Sequence, residues 1–230
     1  MPDTQPNQNF SGHYEQWRSK RIASIIDWYR APWFLGKNVL EIGAGYGDIG
    51  LAFHSLGANV TFSEGRAEHV EQMKQRLLMV KPDNIVVMDA EQGISLPGSF
   101  DLVVHLGVLY HLDNWRQSLV DSAKKAPFMV LETEVCDSDD PGFELKIKEG
   151  GYDQAISGRG TRPSGPMVEK VLADAGWKFE QLTDNRCNAF RHVYDWKVEN
   201  TGNWRHGLRR WWWCGRDGVR PVDVRKRLDK

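Results

Sequence analysis

The segment at residues 41–50, EIGAGYGDIG, constrains the fold of this chain most strongly. It follows an apolar run at residues 38–40 and contains four glycines, and residues 48–56 have the pattern of a helix that ends at Gly57. A strand, a tight turn and a helix in this order usually place a ligand beyond the carboxyl end of the strand. Glycine suits the turn because a Cβ would block both the sharp bend and close contact between the backbone and the ligand.

The rest of the chain repeats this alternation of strands and helices. Further strands are predicted at residues 58–62, 84–88, 100–105, 127–133 and 177–182, and helices at residues 67–80, 112–126 and 164–175. Such alternation predicts an α/β fold with a doubly wound parallel sheet. At 230 residues, the chain has the length of one such domain with additions.

Two segments fall outside this alternation. Apolar residues at helical spacing predict a helix over residues 11–30, and residues 134–163 are so rich in turn formers and charge that we expect an irregular lid or substrate loop. The predicted domains are a helical cap at 1–36, an α/β domain at 37–214 that contains the insert, and a basic tail at 215–230.

The four glycines fit a nucleotide-binding loop in two registers. G-x-G-x-x-G over residues 45–50 would suit a dinucleotide, but it needs two extra residues between the strand and the motif. Counted from Gly43, the third glycine of that fingerprint is replaced by Asp48, whose carboxylate would repel a pyrophosphate. The other register, E-x-G-x-G-x-G over residues 41–47, leaves Gly50 as a packing residue on the following helix.

The second register resembles motif I of the class I S-adenosylmethionine-dependent methyltransferases, in which an acidic residue and G-x-G-x-G follow an apolar run. The resemblance implies that Glu41, Gly43, Gly45 and Gly47 contact S-adenosyl-L-methionine. This ligand has no phosphates and carries an ammonium group and a sulfonium, so acidic residues at Glu41 and Asp48 match its charge.

Three further features follow the order of the same family. Glu64 ends the second strand 21 residues after Gly43, where its carboxylate can accept hydrogen bonds from both ribose hydroxyls. Asp89 and Ala90 follow the third strand, where the family places an acid near the adenine amino group. The fourth strand opens with F-D-x-V, and Leu106 begins the loop expected under the methionine end of the ligand.

The loop at residues 106–112, LGVLYHL, lies where acceptor chemistry is expected. Its G-V-L-Y-H is similar to a segment of bacterial tRNA wobble-uridine carboxymethyltransferases, which implies that Tyr110 contacts the cofactor, with Arg191 as a loose candidate for carboxylate binding. His111 is the predicted general base, because imidazole exchanges protons near neutral pH, and a helix-start histidine bonded to the backbone is the alternative. The predicted catalytic residues are therefore His111 and Tyr110.

Other polar side chains have either a structural or a functional interpretation. His105, at the end of a buried strand, is expected to be a hydrogen-bonded core histidine, and one of Glu132 and Glu134 is expected to reach the substrate. The first helix could close over the cofactor or simply pack on the sheet. Its candidates for closure are His13, Tyr14, Trp17 and Arg18.

The C-terminal segment is basic and rich in tryptophan. Residues 201–230 contain nine Lys and Arg against three Asp, which gives this segment a net charge of +6 in a chain of net charge −1. Such a segment can bind nucleic acid. The run RRWWWC also has the β propensity and the position of the antiparallel last strand of the resembled family, so we expect at least one tryptophan of residues 211–213 in the core and do not favour nucleic-acid binding.

The remaining features narrow the class of protein. No run approaches the roughly 20 apolar residues of a membrane span, and the N-terminus lacks the pattern of a secretory signal, so a cytoplasmic protein without a membrane partner is expected. Cys136, Cys187 and Cys214 lie far apart and form no C-x-x-C pair, which argues against a disulfide framework and a zinc site. We expect no metal cofactor.

These features predict a seven-stranded, mostly parallel, Rossmann-like sheet with an antiparallel last strand. The predicted function is methyl transfer from S-adenosyl-L-methionine to a small-molecule or glycan acceptor, because the insert can form a local pocket and no separate RNA-binding domain is visible. The alternatives are a tRNA-modifying (carboxy)methyltransferase, a nicotinamide oxidoreductase that uses the register of residues 45–50, and a non-catalytic protein that binds S-adenosyl-L-methionine.

Overall fold

The computed structural model describes residues 13–151, 154–205 and 207–221 of the chain. Within these ranges the α-helices are α1 (His13–Tyr29), α2 (Asp48–Ser55), α3 (Ala67–Arg76), α4 (Trp115–Lys125) and α5 (Gly165–Asp174). The strands are β1 (Asn38–Ile42), β2 (Asn59–Glu64), β3 (Ile85–Val87), β4 (Leu102–Leu106), β5 (Phe128–Glu134), β6 (Glu144–Lys148), β7 (Arg159–Pro163), β8 (Lys178–Gln181) and β9 (Arg209–Gly215).

Seven of these strands form one sheet in the order β3-β2-β1-β4-β5-β9-β8. The first five strands along the chain pair in parallel, whereas β9 is antiparallel to both β5 and β8. The predicted doubly wound, Rossmann-like sheet with an antiparallel last strand is therefore confirmed. Strand order reverses between β1 and β4, and the carboxyl ends of these strands meet at one edge of the sheet.

Both faces of the sheet are buried, so successive residues of each strand enter opposite halves of the core. Val39 and Val104 join the half that packs on α1, α2 and α3, and Leu40 and Val103 join the half that packs on α4 and α5. The tryptophans of β9 follow the same alternation. Trp211, Trp212 and Trp213 are all at most 1% exposed, so the described structure leaves none of their rings available to stack on nucleic-acid bases.

The insert is more regular than its composition suggested. Strands β6 and β7 pair antiparallel, from Glu144 opposite Pro163 to Lys148 opposite Arg159, and form a hairpin whose tip comprises, among the described residues, 149–151 and 154–158. The expectation of an irregular segment was therefore wrong for the two strands. In β6, polar and half-buried apolar residues alternate as E-L-K-I-K, which is a strand pattern that the surrounding turn formers obscured.

Helix α1 packs against β9 and the segment that follows it. The Trp28 ring of α1 stacks on Trp213 of β9 at a centroid distance of 4.5 Å, and the Arg220 guanidinium lies 4.0 Å from the centroid of the Trp28 ring. The beginning of the predicted basic tail is thus held on α1. The predicted start of the first helix at residue 11 and the tail beyond residue 221 lie outside the described residues.

Some predicted element boundaries differ from the structure. The helix predicted over residues 67–80 ends at Arg76, and the helix predicted from residue 112 begins at Trp115, because Leu109–His111 form a separate 3-10 turn. Over the described residues, the structure contains no helix with the length and apolar character of a membrane span.

Candidate functional site

A cavity of about 460 Å³ opens at the carboxyl ends of β1, β2 and β4, beneath α1 and the hairpin tip. One part of its lining, here named the glycine side, comprises Glu41, Gly43, Gly45, Glu64, Asp89, Ala90 and Leu106. The opposite part, here named the aromatic side, comprises Tyr14, Trp17, Arg21, Tyr110, His111, Glu134, Arg162 and Trp204. The structure thus brings nearly all the predicted site residues to one cavity.

The glycine loop after β1 needs its glycines for conformation and for space. Gly43, Gly45 and Gly47 have φ of 65°, 57° and 79°, in the left-handed region that side chains disfavour. A Cβ on Gly43 would lie 2.3 Å from Cγ2 of Val108, so a side chain there would displace the loop after β4.

Gly47 and Gly50 lie behind this loop. Gly47 does not line the cavity, and a Cβ at this position would lie 2.7 Å from Cδ1 of Leu77. A Cβ on Gly50 would lie 2.4 Å from Oε2 of Glu41, which agrees with its predicted packing role. Among the predicted glycines, direct contact with a ligand is therefore supported at Gly43 and Gly45, whereas Gly47 shapes the loop from behind.

The Glu64 carboxylate at the end of β2 is buried and held by the backbone. Its Oε2 accepts a hydrogen bond from N–H of Gly45 at 3.0 Å, and its Oε1 accepts one from N–H of Arg66 at 3.0 Å. Each carboxylate oxygen has a second lone pair, so both can still accept a hydrogen bond from a ligand. The glycine loop and the carboxylate are thus positioned by each other.

Asp89 and Ala90 follow β3 on the same side of the cavity. The Oδ1 atom of Asp89 accepts a hydrogen bond from N–H of Glu91 at 3.0 Å and caps the short turn Ala90–Gln92. Leu106, at the end of β4, supplies an apolar wall. This part of the cavity therefore combines one carboxylate with apolar surface, as a flat heterocycle requires.

Glu41 is buried under the glycine loop, and its Oε2 accepts a hydrogen bond from N–H of Gly50 at 3.0 Å. Burial raises the pKa of this carboxyl to about 8, against the lowering effects of the Gly50 hydrogen bond and the Arg21 charge. Burial therefore favours the neutral form of Glu41 in this structure, and the charge match with a cationic ligand stays a prediction.

The raised pKa of Glu41 predicts a pH-dependent stability. The unfolded chain releases this proton near pH 4.5 and the folded chain retains it to about pH 8, so the free energy of unfolding should fall as the pH rises through this window. Glu41→Gln should remove this fall, which amounts to a few kcal/mol, and the exposed control Glu68→Gln should retain it. Urea unfolding at several pH values measures the effect, and parallel pH profiles for wild type and Glu41→Gln would contradict it.

Asp48 lines the cavity and forms ion pairs with two arginines. Its Oδ2 lies 3.1 Å from Nη1 of Arg18, and its Oδ1 pairs with Arg76. The Asp48 carboxylate thus links α1, the glycine loop and α3, and its charge match with a ligand stays a prediction.

Tyr110 and His111 lie in the turn after β4. The guanidinium groups of Arg162 and Arg209 lie 4.6 Å and 5.1 Å from the centroid of the Tyr110 ring, and Nη2 of Arg209 donates a hydrogen bond to the Tyr110 hydroxyl at 3.3 Å. Burial raises the pKa of Tyr110 to about 12, so its phenol stays neutral near pH 7. Tyr110 thus suits contact and orientation better than proton abstraction.

The His111 imidazole bonds to a side chain and not to the backbone. Its Nδ1 forms a hydrogen bond with Oε2 of Glu149 at the start of the hairpin tip. His105 has the expected core role, because its Nε2 lies 3.0 Å from the Ser118 hydroxyl and burial lowers its pKa to about 4. Sequence reasoning missed Glu149, since nothing in its local pattern relates it to a residue 38 positions earlier.

Buried arginines and glutamates form a network beneath the aromatic side. Arg209 of β9 bonds Glu132 at 2.7 Å and Glu134 at 3.3 Å, and Arg162 of β7 bonds Glu134 at 2.8 Å and Glu149 at 2.5 Å. Glu134 lines the cavity and Glu132 does not, so the glutamate nearer the cavity is the second of the predicted pair. Two charged glutamates at the end of a central strand require cationic partners, which is the signal that could have pointed to the arginines.

Helix α1 closes the aromatic side. The Trp17 ring stacks on His192 at 3.8 Å between centroids, and the Arg21 guanidinium lies 3.6 Å from the centroid of the Trp17 ring. Arg21 is 5% exposed and lines the cavity, and its Nε has no hydrogen-bond partner among the described residues. Of the residues predicted on this helix, Tyr14, Trp17 and Arg18 line the cavity.

Two other candidates do not contribute to the cavity. Arg191 is exposed, its guanidinium lies 5.3 Å from the centroid of the Phe190 ring, and it does not line the cavity, so the loose assignment to carboxylate binding receives no support. In the part of the chain that the structure describes, no three His, Cys, Asp or Glu side chains are grouped as a metal site.

Comparison with known proteins relates this site to one class of enzymes. Residues 40–126 match the family described as a methyltransferase domain. The sheet around this stretch has the fold of the class I S-adenosylmethionine-dependent methyltransferases. S-adenosyl-L-methionine is the cofactor of this class. No curated protein sequence matches the chain significantly.

Solved structures of similar fold agree with this class. The N-terminal domain of EvdMO1 with SAH bound is 22% identical, with a TM-score of 0.60 over 72% of this chain and 74% of that chain. The same domain in the presence of SAH and D-fucose is 18% identical, with a TM-score of 0.65 over 87% and 83%. The glycopeptide N-methyltransferase MtfA complexed with SAM is 14% identical, with a TM-score of 0.55 over 92% and 90%.

Proposed function

We propose that this chain transfers a methyl group from S-adenosyl-L-methionine to a hydroxyl or amine of a small-molecule or glycan acceptor. The observation that carries the proposal is that one cavity joins the glycine side to an aromatic side that contains His111. Methyl transfer needs little more than alignment of the acceptor with the methyl carbon and a base for its proton.

The glycine side would bind the cofactor. In this assignment the Glu64 oxygens accept hydrogen bonds from the ribose hydroxyls, Asp89 and the backbone at Ala90 contact the adenine, and Gly43 and Gly45 allow close contact with the amino-acid part. Leu106 lies under that part, and Glu41 lies behind the loop. The support is that the Glu64 carboxylate is fixed by two backbone N–H groups and retains free lone pairs.

The cofactor also has a carboxylate, and Arg21 is proposed to bind it. The buried Nε of Arg21 lacks a partner among the described residues, and its Nη1 makes only a long contact of 3.4 Å with Oε2 of Glu132. A buried cation without full hydrogen bonding is costly, so a ligand carboxylate would complete its environment. This residue on α1 was not among the predicted site residues.

Arg21→Leu should weaken binding of S-adenosylhomocysteine (SAH) by about 10-fold to 100-fold, because a charge-assisted hydrogen bond is lost. Binding of 5′-methylthioadenosine, which has no amino-acid part, should be unchanged in the same variant. Isothermal titration with the two ligands makes the comparison. Equal losses for both would contradict the assignment, and Arg30→Leu, an exposed arginine on the turn after α1, serves as the control.

The bound cofactor would supply an electrophilic methyl carbon on a sulfonium. The protein's part is then to orient the acceptor against the walls formed by Tyr14, Trp17, Tyr110 and Trp204, and to remove its proton. Aromatic rings with arginines between them suit the apolar faces and hydroxyl edges of a sugar or a similar polyol. As oxygen or nitrogen bonds to the methyl carbon, the acceptor proton would pass to His111.

Within this proposal, two solved structures of similar fold support a glycan as the acceptor. One EvdMO1 structure was obtained in the presence of D-fucose, and MtfA is a glycopeptide N-methyltransferase. Burial of all three β9 tryptophans argues against base stacking by these rings, which was one argument for a nucleic-acid acceptor.

Methyl transfer can be tested with S-adenosyl-L-methionine that carries a labelled methyl group. Incubation with panels of monosaccharides, phenols and amines should give acceptor-dependent label transfer with formation of SAH. His111→Gln should lower the rate by about 100-fold to 10,000-fold without loss of cofactor affinity, as expected for removal of a general base. Label transfer to RNA alone, or an unchanged rate in His111→Gln, would contradict the proposal.

A further inference from the structure

The Glu149 side chain connects the hairpin to the turn that contains His111. Glu149 follows β6, and its side chain is only 3% exposed. Its Oε2 bonds Nδ1 of His111 and accepts a hydrogen bond from N–H of Ala155 at 2.9 Å. Its Oε1 accepts a hydrogen bond from Nη2 of Arg162 at 2.5 Å. The carboxylate is thus held by the turn that contains His111, by the hairpin tip and by Arg162 of β7.

Glu149 remains ionised in this environment. Burial alone would raise the pKa of its carboxyl. The hydrogen bond and charge of His111 and the Arg162 guanidinium outweigh this effect, so the pKa lies below the usual value of 4.5. An ionised carboxylate can only accept hydrogen bonds. The neutral His111 imidazole must therefore carry its proton on Nδ1, which leaves the Nε2 lone pair available.

We infer that Glu149 is a positioning residue that holds His111 in the tautomer whose Nε2 accepts the acceptor's proton. This inference rests on the proposed function. In the step, the acceptor O–H or N–H bond breaks and its proton passes to Nε2, the oxygen or nitrogen bonds to the methyl carbon, and the C–S bond breaks with its electron pair returning to sulfur. Glu149 stays ionised and stabilises the imidazolium.

The hairpin tip connects this pair to the glycine side. Nη2 of Arg66, which follows β2, donates a hydrogen bond to the backbone oxygen of Gln154. A Cβ on Gly65 would lie 2.4 Å from Cδ1 of Ile156, so the tip rests on the residue that follows Glu64. The loop that supplies Glu149 therefore lies against the end of β2, and the hairpin is part of the site.

Several charged or titratable groups lie around His111. Arg162 on the hairpin, Glu134 on β5, Glu91 after β3 and Tyr110 on the same turn line the same cavity, Glu149 bonds the imidazole, and Asp113 lies two residues further along the chain. Glu149 is the group that bonds the imidazole directly. Its replacement by the isosteric glutamine removes the charge and keeps the size and an acceptor oxygen.

The test is long-range ¹H–¹⁵N correlation NMR of the full chain with ¹⁵N-labelled histidine, with the His111 signals assigned from His111→Gln. Wild type should show the Nδ1–H tautomer at high pH. In Glu149→Gln the Nε2–H tautomer should become detectable, because the glutamine amide can donate a hydrogen bond to Nδ1 as well as accept one from it. The exposed neighbour Lys148→Gln should leave the tautomer unchanged.

An Nε2–H tautomer in wild type, or the same tautomer ratio in wild type and Glu149→Gln, would overturn the inference. If Glu149→Gln does not fold, the wild-type tautomer alone decides the question. The result is separate from the proposed function, since the spectra need neither cofactor nor acceptor. Absence of methyl transfer would refute the function and leave the Glu149–His111 pair as measured.

Discussion

Glu64→Ala should lose at least about 100-fold in affinity for both SAH and 5′-methylthioadenosine. In the proposed binding mode the two Glu64 oxygens accept hydrogen bonds from both ribose hydroxyls, and hydrogen bonds to a charged group contribute roughly 1.5–3 kcal/mol each. The substitution also leaves N–H of Gly45 without its acceptor, which loosens the glycine loop. Isothermal titration at constant pH and salt measures the loss.

The controls for Glu64→Ala separate ligand contacts from loop structure. Glu64→Gln keeps an acceptor for Gly45 and should lose less affinity than the alanine variant. Glu68→Ala removes an exposed glutamate from the adjoining helix α3 and should bind both ligands as wild type does. A wild-type affinity in Glu64→Ala would refute the assigned ribose contact.

Arg209→Met should lower the free energy of unfolding by about 3–5 kcal/mol, the usual result of removing one partner from a buried ion pair. The guanidinium of Arg209 lies between Glu132 and Glu134, and all three side chains are at most 2% exposed. It also donates hydrogen bonds to His192 and to the Tyr110 hydroxyl. Without it, two neighbouring carboxylates stay buried with less cationic compensation. Urea denaturation with linear extrapolation gives the value.

Lys74→Met is the matched control for Arg209→Met. Lys74 pairs with Glu71 at 3.1 Å on the exposed face of α3, and such surface pairs contribute about 0.2–0.5 kcal/mol. A loss in Arg209→Met as small as that of Lys74→Met would mean that the buried network does not stabilise the fold. Arg209→Lys should lower the free energy of unfolding by an amount between those of Arg209→Met and Lys74→Met, because lysine keeps the charge and loses the forked geometry.

The glycine side was predictable because each of its residues follows a recognisable strand. Spacing from the apolar runs to Gly43, Glu64 and Asp89 is a local property, and parallel strands bring their carboxyl ends to one edge of the sheet. The order of strands and helices likewise led to the seven-stranded sheet. The strand that contains the three β9 tryptophans was predictable because their β propensity and their position in the chain both indicated a last strand.

The aromatic side was only partly predictable because tertiary contacts assemble it. Arg21 comes from α1 and Glu149 and Arg162 come from the hairpin, and no spacing rule connects any of them with Tyr110 or His111. The sequence also does not show how burial acts on a charge. Glu41 is acidic by type, but its position beneath the glycine loop raises the pKa of its carboxyl to about 8.

The most direct measurement is isothermal titration of wild type with S-adenosyl-L-methionine, SAH and NAD under one set of conditions. If residues 41–47 bind the cofactor in the proposed way, the first two ligands should bind in the micromolar range or tighter, and NAD should give no measurable heat of binding. Binding of NAD without binding of S-adenosyl-L-methionine would contradict the account, because it would assign the glycine loop to the dinucleotide register over residues 45–50.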